Sequence, residues 1–512
     1  MLKKAIKILS ALVMIIAIAA NAQSQPGPKE LKTLIVFFDG LRPDYITPDA
    51  MPNLYAFSKQ GAYGKKHHSV YPTVTRVNSS AYSSGSYPAK TGIMGNTVYF
   101  PEVNPVKGMN TGEAADLNLI SKATNGHLLT TITLGEVLQA AGKHMMVFSS
   151  GSTGQALLQN HTISGGAIIN PSMILPESFK STVIDAIGAV PKHEKPNTLQ
   201  HKWVTDALIK FGFAADGPAV SAIWFSDPDG TAHADGIGAA SSMAAIKSVD
   251  HEFGRIVEYL KSNHLEETYN IIVSTDHGFV THTGKQNVVS ILIDKGLKKA
   301  PLSDDVVIAE GAIYVKDHDP ELIRKIVAAL QQMEAVGPVF TKGAKENDVK
   351  GWVDGTLSFK AIHWDHPTRA ADILIDEDWN DDKNSFGYAG TSLSGGVAGH
   401  GGFSPYEVHI ALIASGPSFK KNYESELPTS NVDITPTILH LENIPVPLQM
   451  DGRVVYEMLT EKAPATAPTS VKAETLQTNI DTQWGSYKLI LQRSLLGKYI
   501  YIDFAKATRI FK

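Results

Sequence analysis

The sequence predicts an α/β fold: a sandwich with a mostly parallel central sheet flanked by helices, carrying a small α+β insertion. Three observations lead there. Leu31-Lys32-Thr33-Leu34-Ile35-Val36-Phe37-Phe38 is a near-continuous apolar run closed by Asp39-Gly40, which is how a strand buried on both faces of a parallel sheet reads. Strand-like runs of this kind alternate with segments of helical periodicity along most of the chain. Several of them end directly in acidic and histidine residues, where a parallel sheet forms its binding crevice beyond the carboxyl ends of its strands.

The chain has 512 residues, enough for a large core and roughly two to three domain-sized units. Hydrophobic content of 43% and charged content of 19% set aside the disordered and fibrous classes. A net charge of −5 gives no basic footprint for nucleic acid or an anionic membrane. Cysteine is absent, which removes disulfides, thiolate ligands and cysteine nucleophiles together. Any metal must then be held by His, Asp and Glu.

Taken in order, Met1-Leu2-Lys3-Lys4 with Lys7, the apolar run over 8–20 and Ala20-Asn21-Ala22 have the form of a signal peptide over 1–22. The run is too short for a membrane span, so the expectation is an exported chain, periplasmic or secreted, with no stable membrane anchor after cleavage. The first part of the catalytic core is placed at 30–299. It has helices over 51–61, 129–141 and 237–260 and strands over 145–148, 220–225 and 270–274. Residues 300–385 resemble an α+β insertion: strand-like 306–315, a helix over 320–333, a charged linker over 342–350 and a strand over 371–375. The core resumes over 386–460 with a strand at 408–414 and a helix at 431–441. An Ala/Pro/Thr-rich linker then opens the segment 461–512, which ends in strand-like 488–491 and 499–504.

Four acidic or histidine clusters are candidate metal ligands. Asp39 closes the first strand; Asp229-Gly230-Thr231-Ala232-His233 follows 220–225; Asp276-His277-Gly278 follows 270–274; Gly399-His400-Gly401-Gly402 precedes 408–414. Each has a plain reading of its own: a turn pair at Asp39-Gly40, a loop hydrogen bond between Asp229 and His233, an exposed loop at His400. Together, all at strand ends, three carboxylates and three imidazoles form a donor set suited to zinc. Two divalent ions about 4 Å apart clamp a phosphate group between them, one activating a hydroxyl and the other neutralising the leaving oxygen. The hydroxyl is expected in Tyr71-Pro72-Thr73-Val74-Thr75-Arg76-Val77-Asn78, with Thr75 as the metal-activated nucleophile.

The motifs Phe38-Asp39-Gly40, Met51-Pro52-Asn53-Leu54, Pro72-Thr73-Val74-Thr75, Asp229-x-x-x-His233, Asp276-His277-Gly278, Gly399-His400-Gly401 and Val432-Asp433-Ile434-Thr435-Pro436-Thr437 resemble the alkaline phosphatase superfamily. Within it they resemble the type I phosphodiesterase/nucleotide pyrophosphatase family. The resemblance implies an alkaline-phosphatase-like sandwich and two zinc ions, one held by Asp39, Thr75, Asp276 and His277, the other by Asp229, His233 and His400. It favours Thr75 over Thr73 as the residue that forms a phospho-threonine intermediate. It also implies that Asn78 donates a hydrogen bond to a non-bridging phosphate oxygen.

The departures bear on substrate. Nucleotide-cleaving members usually carry an aromatic ring after the nucleophile, to stack on the base; here that position is Arg76, which suits pairing with a second anionic group. Trp224 sits where those members often carry a second stacking aromatic. Thr75-x-x-Asn78 with Gly92-Ile93-Met94-Gly95-Asn96 also resembles phosphonoacetate hydrolase, whose substrate carries a carboxylate. His67 and His68 are read as structural. The leading expectation is a phosphodiesterase acting on a small-molecule phosphate ester. A phosphomonoesterase or phosphonate hydrolase on the same site, and a metal-stabilised non-catalytic protein that binds phospho-ligands, are the alternatives. A sulfatase is disfavoured, since those enzymes need a Cys or Ser where threonine stands.

Overall fold

The computed structural model describes residues 31–285 and 287–512; the expected signal peptide and the leader after it lie outside the described residues. The strand Lys32–Phe38 is the axis of the fold. It pairs in parallel with Val220–Phe225 on one side and with Tyr269–Thr275 on the other. Its apolar run is buried on both faces: Leu34, Val36 and Phe38 enter one core cluster, Ile35 and Phe37 the other. The two-residue period of a strand sends neighbours to opposite faces, so an uninterrupted apolar run is what a doubly covered sheet requires.

The central sheet continues through Met145–Ser149 and Ala167–Asn170 in parallel and ends at the antiparallel Met173–Leu175. On the other side His409–Ser415 joins antiparallel, followed by Ala62–His68 and Tyr423–Ser425. The sheet is thus mostly parallel, as expected. The helix Ala240–Ser262 covers one face with Ile246, Val249, Phe253 and Ile256, a spacing of three and four residues that forms one helical stripe.

A separate five-stranded sheet is built from Val306–Ala309, Ala312–Val315, Ile373–Glu377, Val336–Thr341 and Leu357–Ser358, with the helix Pro320–Gln331. The C-terminal segment is a three-stranded meander, Val471–Asp481, Gly485–Leu496 and Tyr499–Phe511, longer than the two strands expected there. Tyr487 ties it to the five-stranded sheet by accepting from Val339 N at 3.1 Å and donating to Gly337 O at 3.0 Å.

Two local expectations are corrected. The helix expected over 129–141 is Leu134–Ala140, because Thr133 and Glu136 close a capping box that starts it five residues into the run. The segment after Val220–Phe225, whose plain reading is a loop hydrogen bond between Asp229 and His233, is the helix Asp229–Asp235.

Candidate active site

Three parallel strands end at one point, and their next residues converge there. Asp39 follows Phe38, and Asp276 follows Thr275, which pairs with Phe38 in register. The helix Asp229–Asp235 places Asp229 and His233 one turn apart on a single face. The antiparallel strand His409–Ser415 begins at this same end of the sheet, and the loop leading into it delivers His400.

Five of these ligand candidates, all but Asp229, are held from behind with a free atom turned inward. His277 Nδ1 donates to Gly278 O at 3.0 Å, His233 Nδ1 to Ala398 O at 3.0 Å and His400 Nδ1 to Thr73 O at 2.8 Å. A carbonyl only accepts, so each ring bears a proton on Nδ1 and turns its Nε2 inward. The carboxylates behave alike. Asp39 Oδ2 accepts from Trp224 Nε1 at 2.9 Å, and Asp276 Oδ1 accepts from Gly40 N at 3.0 Å and His277 N at 3.0 Å. Asp39 Oδ1, Asp276 Oδ2 and Asp229 Oδ1 are buried without a hydrogen-bond partner among the described residues.

These inward atoms crowd together. Asp229 Oδ1 is 3.3 Å from both His233 Nε2 and His400 Nε2; His277 Nε2 is 3.1 Å from Asp276 Oδ2 and 3.5 Å from Asp39 Oδ1. Burial, with Asp276 and Asp229 adding to it, pushes the Asp39 carboxyl well above its ordinary range. Burial raises Asp229 too, yet the His233 and His400 imidazoles outweigh it and hold that carboxylate well below. Burial, then His277, pushes His400 down to about 4, so its imidazole is neutral at neutral pH. Orphaned carboxylate oxygens facing inward-turned imidazole nitrogens form a donor set that fits divalent cations.

Thr75 opens the helix Thr75–Ser84, and its hydroxyl donates to His277 Nε2 at 3.2 Å. Its oxygen therefore lies at a helix N-terminus, where the backbone field favours negative charge. Thr73 is tied elsewhere: its hydroxyl donates to Gly402 O at 2.8 Å and accepts from Gly401 N at 3.2 Å.

The site corrects two expected roles. Asn78 is fully buried and does not reach substrate. Its Oδ1 accepts from Val70 N at 2.8 Å and Asn431 Nδ2 at 3.0 Å, and its Nδ2 donates to Val70 O at 3.0 Å and Val74 O at 3.1 Å. It clamps the turn that presents Thr75. Trp224 is likewise fully buried, stacked on Phe37 at 4.5 Å; it stacks on no substrate and instead orients Asp39. His67 is fully buried among Thr429, Ser274 and Asn431.

Asn96 is the site residue that sequence reasoning passed over. Its Oδ1 accepts from Arg76 N at 3.1 Å, leaving its Nδ2 directed to no protein acceptor among the described residues, and it lines the larger cavity at the site. Its signal was present in Gly92-Ile93-Met94-Gly95-Asn96, but nothing in the linear spacing said that residue 96 folds back on residue 76.

Cavities flank the cluster on two sides. One of about 540 Å³ is lined by Asn96, His233, His282, Glu310, Asp376 and His400. The other, of about 420 Å³, is lined by Asp39, Thr75, Arg76, Ser150, Lys195 and Asn197 among others, with no Phe, Tyr or Trp in its wall among the described residues. The Arg76 guanidinium makes no hydrogen bond or ion pair among the described residues, and its Nε is buried without a partner.

Comparison with known proteins identifies the family. Residues 33–382 match the family model for type I phosphodiesterase / nucleotide pyrophosphatase. The chain is 24% identical to a bis(5'-adenosyl)-triphosphatase of Xenopus laevis, over 79% of this chain and 76% of that protein. It is 23% identical to human ectonucleotide pyrophosphatase/phosphodiesterase family member 5, over 93% of this chain and 89% of that protein. Among solved structures, the murine family member 5 superposes with a TM-score of 0.58 at 21% identity, covering 84% of this chain and all of that one; an inactive variant of it was solved in complex with AMP. A variant of the alkaline phosphatase PafA superposes with a TM-score of 0.64 at 15% identity, over 85% of this chain and all of that one.

Proposed function

Because this chain belongs to the type I phosphodiesterase/nucleotide pyrophosphatase family and is a hydrolase of phosphate esters, we propose that it cleaves phosphodiesters through a covalent phospho-threonine on Thr75. The observation that carries this reading is the position of Thr75 Oγ1, at a helix N-terminus and 3.2 Å from His277 Nε2, among inward-turned ligand atoms. Asp39, Asp276 and His277 would hold one divalent ion beside Thr75; Asp229, His233 and His400 would hold a second. Zinc suits this donor set. Such ions, when bound, supply Lewis acidity at the hydroxyl and at the phosphoryl oxygens.

The protein's own groups do the rest. Thr75 Oγ1 bonds to phosphorus as the bond to the leaving alkoxide breaks, and water then attacks phosphorus to restore the hydroxyl. The helix N-terminus favours the developing negative charge on Thr75. Asn96 Nδ2 donates to a non-bridging oxygen, where charge builds. Asn78 keeps the Thr75 turn in place.

The cavity beside Thr75 is the substrate-side reading. Its wall is polar, carries Arg76 and Lys195 beside Glu194 and Asp227, and offers no aromatic platform for a base among the described residues. The substrate is therefore a phosphate ester whose retained side bears a second anion, such as another phosphate or a carboxylate. Arg76 also favours a second reading, hydrolysis of phosphomonoesters or phosphonates on the same site. The basic start and apolar run of residues 1–22 support export, and no helix among the described residues is long and apolar enough to cross a membrane.

The test is Thr75→Ala assayed on bis-p-nitrophenyl phosphate and on the matching monoester. The expected loss is at least about 1000-fold on both, and unchanged turnover overturns the assignment. Wild-type rates on the two substrates decide between diesterase and monoesterase.

A further inference from the structure

The side chains of His68, His409 and Asp503 meet outside the catalytic cluster. His68 ends the strand Ala62–His68, His409 opens the neighbouring strand opposite it in register, and Asp503 comes from the last strand of the C-terminal meander. One candidate ligand atom from each lies within 4.8 Å of the others. We propose that these three residues form a structural metal site, separate from the catalytic ligands, that takes a divalent ion of the zinc type.

Hydrogen-bond geometry carries the argument. His68 Nδ1 lies 2.9 Å from Thr429 O. That carbonyl can only accept, so Nδ1 bears the proton and donates. His68 Nε2 nevertheless lies 3.0 Å from Asp503 Oδ1. A ring lone pair facing a carboxylate at that separation needs a cation between or beside them, either a second proton or a metal ion. A proton satisfies this one contact and leaves the His409 ring idle. That ring lies 5.0 Å from the His68 ring, centroid to centroid, and makes no hydrogen bond among the described residues. A divalent ion uses all three groups.

The surroundings have the anatomy of a supported metal site. The Thr429 carbonyl fixes the His68 tautomer, and Ser494 Oγ lies 3.1 and 3.0 Å from the two oxygens of Asp503; such outer partners orient metal ligands. Tyr501 stacks on the His68 ring at 5.6 Å. His68 is fully buried while His409 and Asp503 are half-buried; with three protein ligands, the fourth position of a tetrahedral ion falls to water.

The site would staple the meander to the edge of the central sheet. The next residues of that strand reach the catalytic loop: Ala505 N donates to Phe403 O at 3.3 Å, three residues beyond His400. The ion is thus placed to steady the loop that supplies a catalytic ligand.

Metal analysis of zinc-supplemented, desalted protein tests this. Wild type is expected to hold about three ions per chain and the His409→Gln, Asp503→Asn double variant about two. A second protein, Asp39→Asn with His233→Ala, cripples the catalytic ligand sets, and is expected to retain about one ion and to gain thermal stability on zinc addition. It decides the matter if the first variant does not fold. Equal metal content in wild type and the first variant, or no ion in the second, overturns the proposal and leaves a proton-bridged His68–Asp503 pair.

Discussion

Trp224 Nε1 donates to Asp39 Oδ2 at 2.9 Å, and the other oxygen of that carboxylate is left facing the cluster with no partner. A fully buried indole, stacked on Phe37, thereby sets the direction of a ligand atom from behind the site. Trp224→Phe keeps the ring packing and removes the donor. Metal affinity is expected to fall by about 10- to 100-fold, with KM for a diester unchanged at saturating zinc. Zinc titration of the dialysed variant, followed by activity, checks this; wild-type affinity would mean that Asp39 is oriented by other contacts.

Asn78 and Asn96 are expected to separate stability from chemistry. Asn78→Ala strips four hydrogen bonds from a buried turn. Left unsatisfied, each of those groups costs about 1–3 kcal/mol, so Tm should drop sharply. Asn96→Ala should lower kcat by about 100-fold, the scale of an oxyanion donor, with Tm little changed. Thermal melts and steady-state kinetics on both variants read the two effects apart.

Arg76→Ala is expected to lower turnover of doubly anionic substrates more than that of bis-p-nitrophenyl phosphate, because only the former offers a partner to the free guanidinium. The ratio of kcat/KM values before and after substitution is the measurement. Equal losses on both substrates would give Arg76 a scaffold role.

His201 predicts an acid weakness. Burial, with His193 adding to it, pushes its imidazole down from the ordinary 6.5 to about 3. Between those values the unfolded chain binds a proton that the folded chain does not. Stability therefore rises with pH across that window, and is lost as pH falls through 6.5 toward 3, by up to about 1.4 kcal/mol per pH unit. Melts of wild type and His201→Gln across that range should converge as pH falls, because the variant lacks this dependence. Parallel curves would show that His201 stays solvated.

The legible part of the site was the part that strands punctuate. Asp39, Asp276 and His277 sit directly after runs whose apolar continuity marks them as buried parallel strands, and the parallel arrangement brings strand ends together. The Asp229 and His233 pair was visible, but its helix was not, because Asp-Gly reads locally as a turn. Asn78 was misread for a related reason. It lies three residues after Thr75 inside a helix, and which way a helical side chain points depends on what packs there; here Asn431, from a distant segment, receives it. Asn96 was hidden by the loop that carries it back to Arg76 N.

The sequence by itself determined the α/β class and the donor chemistry. Those rest on residue type and on periodicities of two and 3.6, which are properties of short windows. Tertiary structure alone decided which polar side chains face the cavity and which support from behind. Trp224 became a support for Asp39 because its strand pairs beside Lys32–Phe38, with Phe37 opposite it in register. Whether a polar atom is spent on a neighbour or left for a ligand is settled by what packs against it, and those neighbours lie hundreds of residues away along the chain.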